Sequence, residues 1–332
     1  MRSPVTLLYH GAKFRRLLRA LLGAEDCYFI ARDAANRIVG ALPALLTRNY
    51  DGAAVLNSLP YYGSNGGLLE FDSDLDVRMR LIEAFEAHAT ASRCVASTIV
   101  TSPFETDLGF YERHVRFDLR DERIGQVTTL PVSASERDLF GQFHRKARNA
   151  IRKAQQLPLT ISRERDEQAM RFLVHAHQAS IVAKKGVAKS ERFFSCALQT
   201  FEYGREVEVW AARHGSRLVA ALLVFYFNQT VEYYTPVVVP EYRAWQPLSL
   251  IVLEAMMAAS ARGFRFWNWG GTWHSQQSLR RFKKRLGASD YRYCYYTRVL
   301  DADVLERSPS ELLERYPNFY VVPFRASTAT EA

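Results

Sequence analysis

Cysteine is scarce in this 332-residue chain, and long apolar runs are missing. The four cysteines, Cys27, Cys94, Cys196 and Cys294, are widely spaced among apolar or aromatic neighbours, which is typical of small buried side chains. We therefore expect no disulfide framework, no zinc knuckle and a chemistry that needs no metal. The longest apolar run, 218–227, is about half of the roughly 20 residues that a membrane-spanning helix requires, which favours a buried strand.

Other common signatures are also missing. The N-terminus MRSPVTLLYHGAKFRR has no long apolar segment followed by a cleavage site, so we expect a cytoplasmic protein. A location at the inner face of the membrane stays open. No GxSxG elbow, Walker loop or HExxH motif occurs, which argues against serine hydrolases, NTPases and metalloproteases.

Positive charge is in excess, with 44 Lys and Arg against 35 Asp and Glu, a formal net charge of +9. This excess favours an anionic partner such as a nucleotide, a phospholipid surface or RNA. Charge alone does not choose among these partners.

The order of predicted strands and helices indicates α/β domains with open mixed sheets. The segment that begins at Ala31, ARDAANRIVGALPALL, aligns with ARHGSRLVAALLVFY from Ala212, which indicates an ancient duplication. We therefore predict two tandem domains, 1–130 and 131–299, with the tail 300–332 packing back on the first. One large α/β domain is the alternative.

The densest basic feature is RKARNAIRK, which lies in a predicted helix over 135–155 that begins with a capping box of Ser133 and Glu136. An apolar stripe from Phe143 to Ala154 would dock this helix, and Arg145, Arg148 and Arg152 would form a ridge on its solvent side. The ridge is predicted to bind phosphate of tRNA or of a nucleotide-linked precursor. A solvated basic face is the alternative.

A second feature is the loop RAWQPL, which begins at Arg243 and precedes a predicted helix. It stands where acetyltransferases of the GNAT class keep a glycine loop whose N–H groups bind the pyrophosphate of CoA. Here Gln246 replaces the first glycine, and Pro247 has no N–H to donate. The sequence therefore argues against acetyl-CoA as the donor.

A third feature is a strand with a glycine turn, Asn268, Gly270 and Gly271, followed by a basic helix with Phe282, Lys283 and Gly287. These residues resemble the Asn-x-Gly-Gly turn and the Phe-Lys-x-x-Phe-Gly-like motif of the Fem-type aminoacyltransferases, relatives of the GNAT N-acyltransferases. The stretch RNAIRKA is similar to another Fem-type motif. Leu286 stands where the family prefers an aromatic residue.

The resemblance implies that Lys283 faces the reacting groups, and that Arg243, Tyr234 and the Asn268 turn line the same groove. The positive charge of Lys283 would stabilise an oxyanion or a leaving oxygen; an exposed helix lysine is the alternative.

The first domain carries SLPYYGSNGGLL, which resembles a glycine turn of the wider group. Tyr61, Tyr62 and Asn65 are predicted to contact a sugar or peptide, although a plain connecting loop explains them nearly as well. Asp107 is a weaker candidate for a catalytic group, and a capped surface helix is its alternative.

The resemblance implies transfer of an aminoacyl or acyl group from an activated ester to an amine of an anionic cell-envelope precursor, in peptidoglycan or polysaccharide biosynthesis. The donor would be aminoacyl-tRNA, acyl-CoA or an acyl carrier protein, with no tightly bound cofactor and no DNA partner. The alternatives are a CoA-dependent N- or O-acetyltransferase acting on a polysaccharide sugar, and a non-catalytic binder of RNA or an anionic surface.

Overall fold

The computed structural model describes residues 6–60, 66–71, 74–183 and 186–324. The chain divides into two compact units: the first comprises residues 1–124 and 291–332, and the second residues 125–290. The domain boundaries predicted at 130 and 299 stay a prediction.

The elements before the second unit are α1 (Ala12–Leu22), β1 (Glu25–Asp26), β2 (Phe29–Arg32), β3 (Ile38–Leu42), β4 (Leu45–Arg48), β5 (Ala54–Asn57), β6 (Leu69–Glu70), α2 (Leu75–Ala91), β7 (Cys94–Val100), α3 (Leu108–His114) and β8 (Leu119–Thr129). The following elements are α4 (Glu136–Gln142), α5 (Arg145–Gln155), β9 (Leu159–Glu164), α6 (Glu167–Val182), α7 (Glu191–Thr200), β10 (Val207–His214), β11 (Arg217–Phe227), β12 (Thr230–Val238), α8 (Pro247–Ala261), β13 (Phe266–Thr272) and α9 (Gln277–Arg285). The chain ends with β14 (Ser289–Val299) and α10 (Pro309–Arg315).

The first unit has strands in the order β1-β4-β5-β7-β14 and a separate sheet in the order β2-β3-β6. Its core lies around Phe85, Ile82 and Leu81 of α2, which pack against Leu42 and Leu56 of the strands. The apolar face of α2 thus holds the two sheets of this unit together.

The second unit has strands in the order β8-β13-β12-β11-β10-β9. The helix α8 is apolar over most of its circumference, and it packs against β9 to β12 and against α4 and α5. The helix α6 contacts β10, β11 and β12. No helix among the described residues is both long and apolar enough to cross a membrane.

The two aligned segments form equivalent hairpins. β2 pairs with β3, and β10 pairs with β11, both in antiparallel register. The register shifts between Ala31 and Arg32 in the first hairpin and between Ala212 and Arg213 in the second, which is the same aligned position. A shared bulge at one position of a repeat supports the predicted duplication.

The predicted helix over 135–155 is two helices, so that prediction was wrong at its centre. Phe143 and His144 have extended backbone between α4 and α5, and the His144 side chain caps α5 by accepting from the Lys146 N–H at 3.1 Å. The break lets the His144 N–H donate to the carbonyl of Arg285 at 2.9 Å, a tertiary bond that local periodicity does not reveal.

The capping box also differs from the prediction. It consists of Ser135 and Asp138, whose side chains each bond to the other's backbone N–H, instead of Ser133 and Glu136. Ser133 has a positive φ of 48°, which turns the chain just before the helix.

Candidate active site

The candidate site lies where β12 and β13 part. The two strands pair in parallel over Thr230–Glu232 and Phe266–Asn268. Both strands continue, to Val238 and Thr272, beyond the last pair. The register of β12 against β11 also shifts beside Tyr234, between the pairs formed by Tyr233 and Thr235. Open α/β sheets tend to admit ligands where strand pairing changes in this way, so we take the end of β13 as the candidate recess.

The glycine turn at this recess is fixed by Asn268. Its side-chain amide donates to Glu232 Oε2 at 2.8 Å, and its carbonyl oxygen accepts from the Gly270 N–H at 2.9 Å. Both Asn268 and Glu232 are fully buried. Gly270 has a φ of 72°, in the left-handed region that favours glycine. Asn268 therefore positions the turn; its predicted contact with substrate stays a prediction, as does that of Gly270 and Gly271.

Lys283 is buried beside this turn, on the helix α9, and only 2% of its surface is exposed. Its Nζ donates to Thr272 Oγ1 at 2.7 Å and to the Gly271 carbonyl at 3.4 Å. Burial lowers the pKa of Lys283 to about 7, although the charge of Asp290 acts in the opposite direction. The side chain is therefore a mixture of ammonium and neutral amine near neutral pH, and it can donate or accept a proton.

A chain of hydrogen bonds continues from Lys283 into the unit. Thr272 Oγ1 donates to Gln126 Oε1 at 3.0 Å, and Gln126 Nε2 donates to Asp290 Oδ1 at 3.0 Å. Asp290 Oδ2 accepts two bonds from the Arg280 guanidinium, at 3.0 and 2.7 Å. Because the hydroxyl proton of Thr272 is used by Gln126, Thr272 accepts from Lys283, and the lone pair of a neutral Lys283 stays available for a proton.

Aromatic packing holds α9 in place. Trp269 Nε1 donates to Thr128 Oγ1 at 2.9 Å, and the half-buried Phe282 ring packs perpendicular to Trp269 with centroids 6.1 Å apart. Phe282 thus supports the helix that carries Lys283. Its predicted contact with substrate stays a prediction.

Tyr234 lies on the opposite face of the sheet from Trp269 and Phe282, the aromatic residues that pack with α9. Tyr233 contacts Trp269, whereas Tyr234 stacks on Phe193 of α7 and contacts Phe225 of β11 edge to face. This follows from the alternation of side chains along a strand. The structure therefore brings Lys283 together with Gly271, and it places Tyr234 on the opposite face; a catalytic role of Tyr234 stays a prediction.

Lys189 lies on the same face of the sheet as Tyr234, and no sequence motif points to it. Its Nζ lies 4.9 Å from the centroid of the Tyr234 ring, and its backbone N–H donates to His177 Nε2 at 3.1 Å. Burial lowers the pKa of Lys189 to about 8. A single lysine before the helix cap Ser190 carries no signal in the sequence, because its surroundings come from distant strands.

The arginine ridge of α5 is only in part available for ligands. Arg148 donates to the Phe140 carbonyl at 3.1 Å, and the Arg152 guanidinium lies 5.3 Å from the centroid of the Phe140 ring. Arg145 is exposed. The helix docks through Ala147, Ile151 and Ala154, as the apolar stripe predicted. It contacts α9, α8 and the 3-10 helix Pro240–Trp245 that precedes α8.

The N-terminus of α8 offers few backbone donors. The Gln246 N–H donates to the Arg243 carbonyl at 3.2 Å, Pro247 has none, and the Ser249 N–H donates to the Gln246 carbonyl at 3.0 Å. Gln246 also has a φ of 59°, which is uncommon for a residue with a side chain. The residues present therefore do not fit a backbone cradle for the CoA pyrophosphate. Arg243 is exposed beside this turn.

The candidates of the first unit have structural roles or lie outside the described residues. Asp107 caps α3 by accepting from the Phe110 N–H at 2.9 Å, and it lies 3.7 Å from Arg113. This is the capped surface helix that was its alternative, and a catalytic role stays a prediction. Tyr61, Tyr62 and Asn65 lie outside the described residues.

Comparison with known proteins identifies the class. Residues 141–293 match the family model described as acetyltransferase (GNAT) domain. Over these residues the chain is similar to acetyltransferase domains of the GNAT type. The match confirms the predicted class of enzyme, and it includes α5, the turn at Gly270 and Lys283. No curated protein is significantly similar to the chain in sequence.

Solved structures share the fold at low identity. The crystal structure of FemX matches this acyltransferase with a TM-score of 0.71, at 12% identity, over 90% of this chain and 93% of that chain. The structure of L-PGS from Bacillus licheniformis matches with 0.53, at 11% identity, over 96% and 97% of the two chains. A tandem GNAT protein from the clavulanic acid biosynthesis pathway matches with 0.50, at 15% identity, over 89% of each. The predicted α/β fold of GNAT type is confirmed.

Proposed function

We propose that this acyltransferase moves an aminoacyl group from aminoacyl-tRNA to an amine of an anionic cell-envelope precursor. The observation that carries the proposal is the buried Lys283, whose Nζ reaches Thr272 and Gly271 at the parting of β12 and β13. A lysine with a pKa near 7 at this recess fits a proton transfer between an attacking amine and a leaving oxygen.

The reaction is an aminolysis of an ester. The acceptor amine attacks the ester carbonyl carbon, a C–N bond forms, and the bond from that carbon to the ribose oxygen breaks. Neutral Lys283 takes the proton that the amine loses and passes it to the leaving oxygen, so that an amide and a free hydroxyl result. As an ammonium, Lys283 stabilises the tetrahedral oxyanion. Positioning of two substrates supplies much of the remaining acceleration.

The choice of donor rests on two features. The N-terminus of α8 offers few N–H groups to the pyrophosphate of CoA, because Pro247 has none and those of Gln246 and Ser249 bond within the turn. The exposed cations of α5, with Arg145, Lys146 and Lys153, suit a polyanion such as tRNA, and α5 contacts both α9 and the 3-10 helix that carries Arg243. The proposal places the reaction in the cytoplasm or at the inner face of the membrane, where charged tRNA and lipid-linked precursors meet.

One observation favours a second candidate. The family model that matches residues 141–293 is that of an acetyltransferase domain, and this favours acyl-CoA as the donor. The acceptor in this second candidate is a polysaccharide sugar. That reaction would use the same Lys283 with a different donor.

The test is a transfer assay with a panel of donors. The full chain is incubated with a radiolabelled mixture of aminoacyl-tRNAs or with radiolabelled acetyl-CoA, and with a nucleotide-linked peptidoglycan precursor or an amino-sugar polysaccharide as the acceptor. We expect label in the peptidoglycan precursor from tRNA, lost in Lys283→Ala and kept in Arg281→Ala, an exposed residue of the same helix. Label from acetyl-CoA in the sugar would support the second candidate. Binding of tRNA without transfer to any acceptor would support the alternative that the protein is a non-catalytic RNA binder.

A further inference from the structure

A cluster of potential metal ligands lies in the first unit, among residues that the acyl transfer does not use. Glu25 belongs to β1, Cys27 follows that strand directly, and His88 lies in the last turn of α2. One ligand atom from each, a carboxylate oxygen, Sγ and an imidazole nitrogen, lies within 4.8 Å of the others. The closest pair is Cys27 Sγ and His88 Nε2, at 3.3 Å.

Two polar side chains lie close to one nitrogen of His88. Cys27 Sγ lies 3.3 Å and Ser92 Oγ 3.4 Å from His88 Nε2. An imidazole nitrogen has either one lone pair or one proton, so it cannot make a well-aligned hydrogen bond with both groups at once. Cys27 Sγ and His88 Nε2 are both electron-pair donors, and they lie close enough to share one cation.

The distances suit a tetrahedral ion. With Zn–S near 2.3 Å and Zn–N near 2.0–2.1 Å, a tetrahedral angle places sulfur and nitrogen about 3.6 Å apart. The observed 3.3 Å is within a few tenths of an ångström of that separation. Cys27 is buried, His88 is half-buried and Glu25 is exposed, so solvent reaches the cluster from the side of Glu25. Such access supplies a path for the ion and a water for the fourth position.

The surrounding charges are mixed. Glu25 contributes a carboxylate directly, whereas the neighbouring Asp26 is already paired with Arg15 at 2.8 Å and with Arg19 at 3.4 Å. Arg48 donates to the carbonyls of Ser92 and Gly52. The positive charge of Arg48 disfavours a cation, and the thiolate of Cys27 and the carboxylate of Glu25 would offset it.

We propose that Glu25, Cys27 and His88 bind a divalent transition-metal ion of the Zn²⁺ class, with water as the fourth ligand. A thiolate, an imidazole and a carboxylate are ligands that zinc accepts, and they exclude Mg²⁺ and Ca²⁺, which prefer oxygen. Because the ligands come from β1 and from the end of α2, the ion would join these two elements of the first unit.

The test uses cobalt as a spectroscopic substitute. The full-length protein, freed of metal by chelation, is titrated with Co²⁺ and followed by absorption. We expect saturation at one ion per chain, a near-ultraviolet charge-transfer band from the thiolate and visible bands of a tetrahedral ion, all displaced by Zn²⁺. Cys27→Ser should lose the charge-transfer band, and His88→Gln should weaken binding severalfold. Cys196→Ser on α7 is the matched control and should leave the spectrum unchanged.

The metal-binding tests can fail or succeed independently of the acyl-transfer assay. Failure to bind Co²⁺ or Zn²⁺ stoichiometrically overturns the proposal, and so does a spectrum that Cys27→Ser leaves intact. Thermal unfolding with and without Zn²⁺ gives a second measurement: the transition should move upward in the unaltered protein and in Cys196→Ser, and by less in His88→Gln. Neither readout depends on a donor or an acceptor.

Discussion

Lys283 Nζ lies 2.7 Å from the hydroxyl oxygen of Thr272, and both side chains are buried. The hydroxyl in turn donates to Gln126, so that the amine is held at the end of β13, and no carboxylate among the described residues forms an ion pair with it. A lysine in this setting is poorly suited to carry a full charge. Its properties near neutral pH therefore give the most direct tests of the site.

The rate of transfer should depend on pH through Lys283. If neutral Lys283 is the base, the rate at saturating substrates should rise as pH increases through about 7 and then level off. Replacing Lys283 with methionine should lower kcat by about 10² to 10⁴ and abolish this pH dependence. Arg281→Ala, on the same helix and exposed, should keep the profile of the unaltered enzyme. A profile that is flat in the unaltered enzyme would contradict a base role.

The same pKa shift predicts that Lys283 destabilises the fold. Its pKa is lowered to about 7 in the folded chain, against about 10.4 in the unfolded chain, so the unfolded state binds more protons between these values. The resulting cost is absent above pH 10.4, grows as pH falls, and is complete below about 7. Lys283→Met should therefore raise the unfolding temperature at pH 7 by several degrees, and the gain should shrink toward pH 10. A methionine variant that is less stable at pH 7 would show that the amine is better solvated than its burial indicates.

The local elements of this site could be predicted from the sequence, but the burial of Lys283 could not. The turn at Gly270 and the helix that carries Lys283 were predictable, because glycine turns and basic helices have local signatures. The burial of Lys283 was not, since RRFKKR is a strongly hydrophilic helix and the hydroxyl and amide that receive it come from residues 272 and 126. The break at Phe143 and the approach of Cys27 to His88, 61 residues apart, likewise depend on tertiary contacts.

The glycine turn offers a test with a matched control. Gly270 and Gly23 both have left-handed backbone, with φ of 72° and 60°, and a Cβ added at either would meet no atom within 4 Å. Alanine should cost about 1–2 kcal/mol of folding free energy at each position, for conformational reasons alone. Only Gly270→Ala should also lower acyl transfer, because Gly271 and Lys283 depend on that turn. Stability is measured by urea unfolding and activity by the transfer assay. If the two variants have equal activity, the turn at Gly270 is not part of the active site.

Asn268 and Glu232 should behave as one buried unit. Asn268→Leu leaves the Glu232 carboxylate without the amide that donates to it at 2.8 Å, and we expect a loss of about 2–4 kcal/mol in urea unfolding. The double variant Glu232→Leu with Asn268→Leu should lose less than the sum of the single variants, since either change alone already removes the hydrogen bond that the two side chains share. Additive losses would show that the two side chains are not coupled.

The loop before α8 gives a test of the donor. In the unaltered protein we expect no binding of acetyl-CoA at micromolar concentrations, because Gln246 bonds its N–H to Arg243 and Pro247 has none. Gln246→Gly with Pro247→Ala removes the proline and frees the backbone near the helix N-terminus, and it should raise the affinity for CoA severalfold in calorimetric titration. The affinity for aminoacyl-tRNA should not rise in parallel, since the cations of α5 are untouched. Micromolar binding of acetyl-CoA by the unaltered protein would instead show that a CoA pyrophosphate needs no such cradle here, and the acyl-CoA reaction would become the better account of this enzyme.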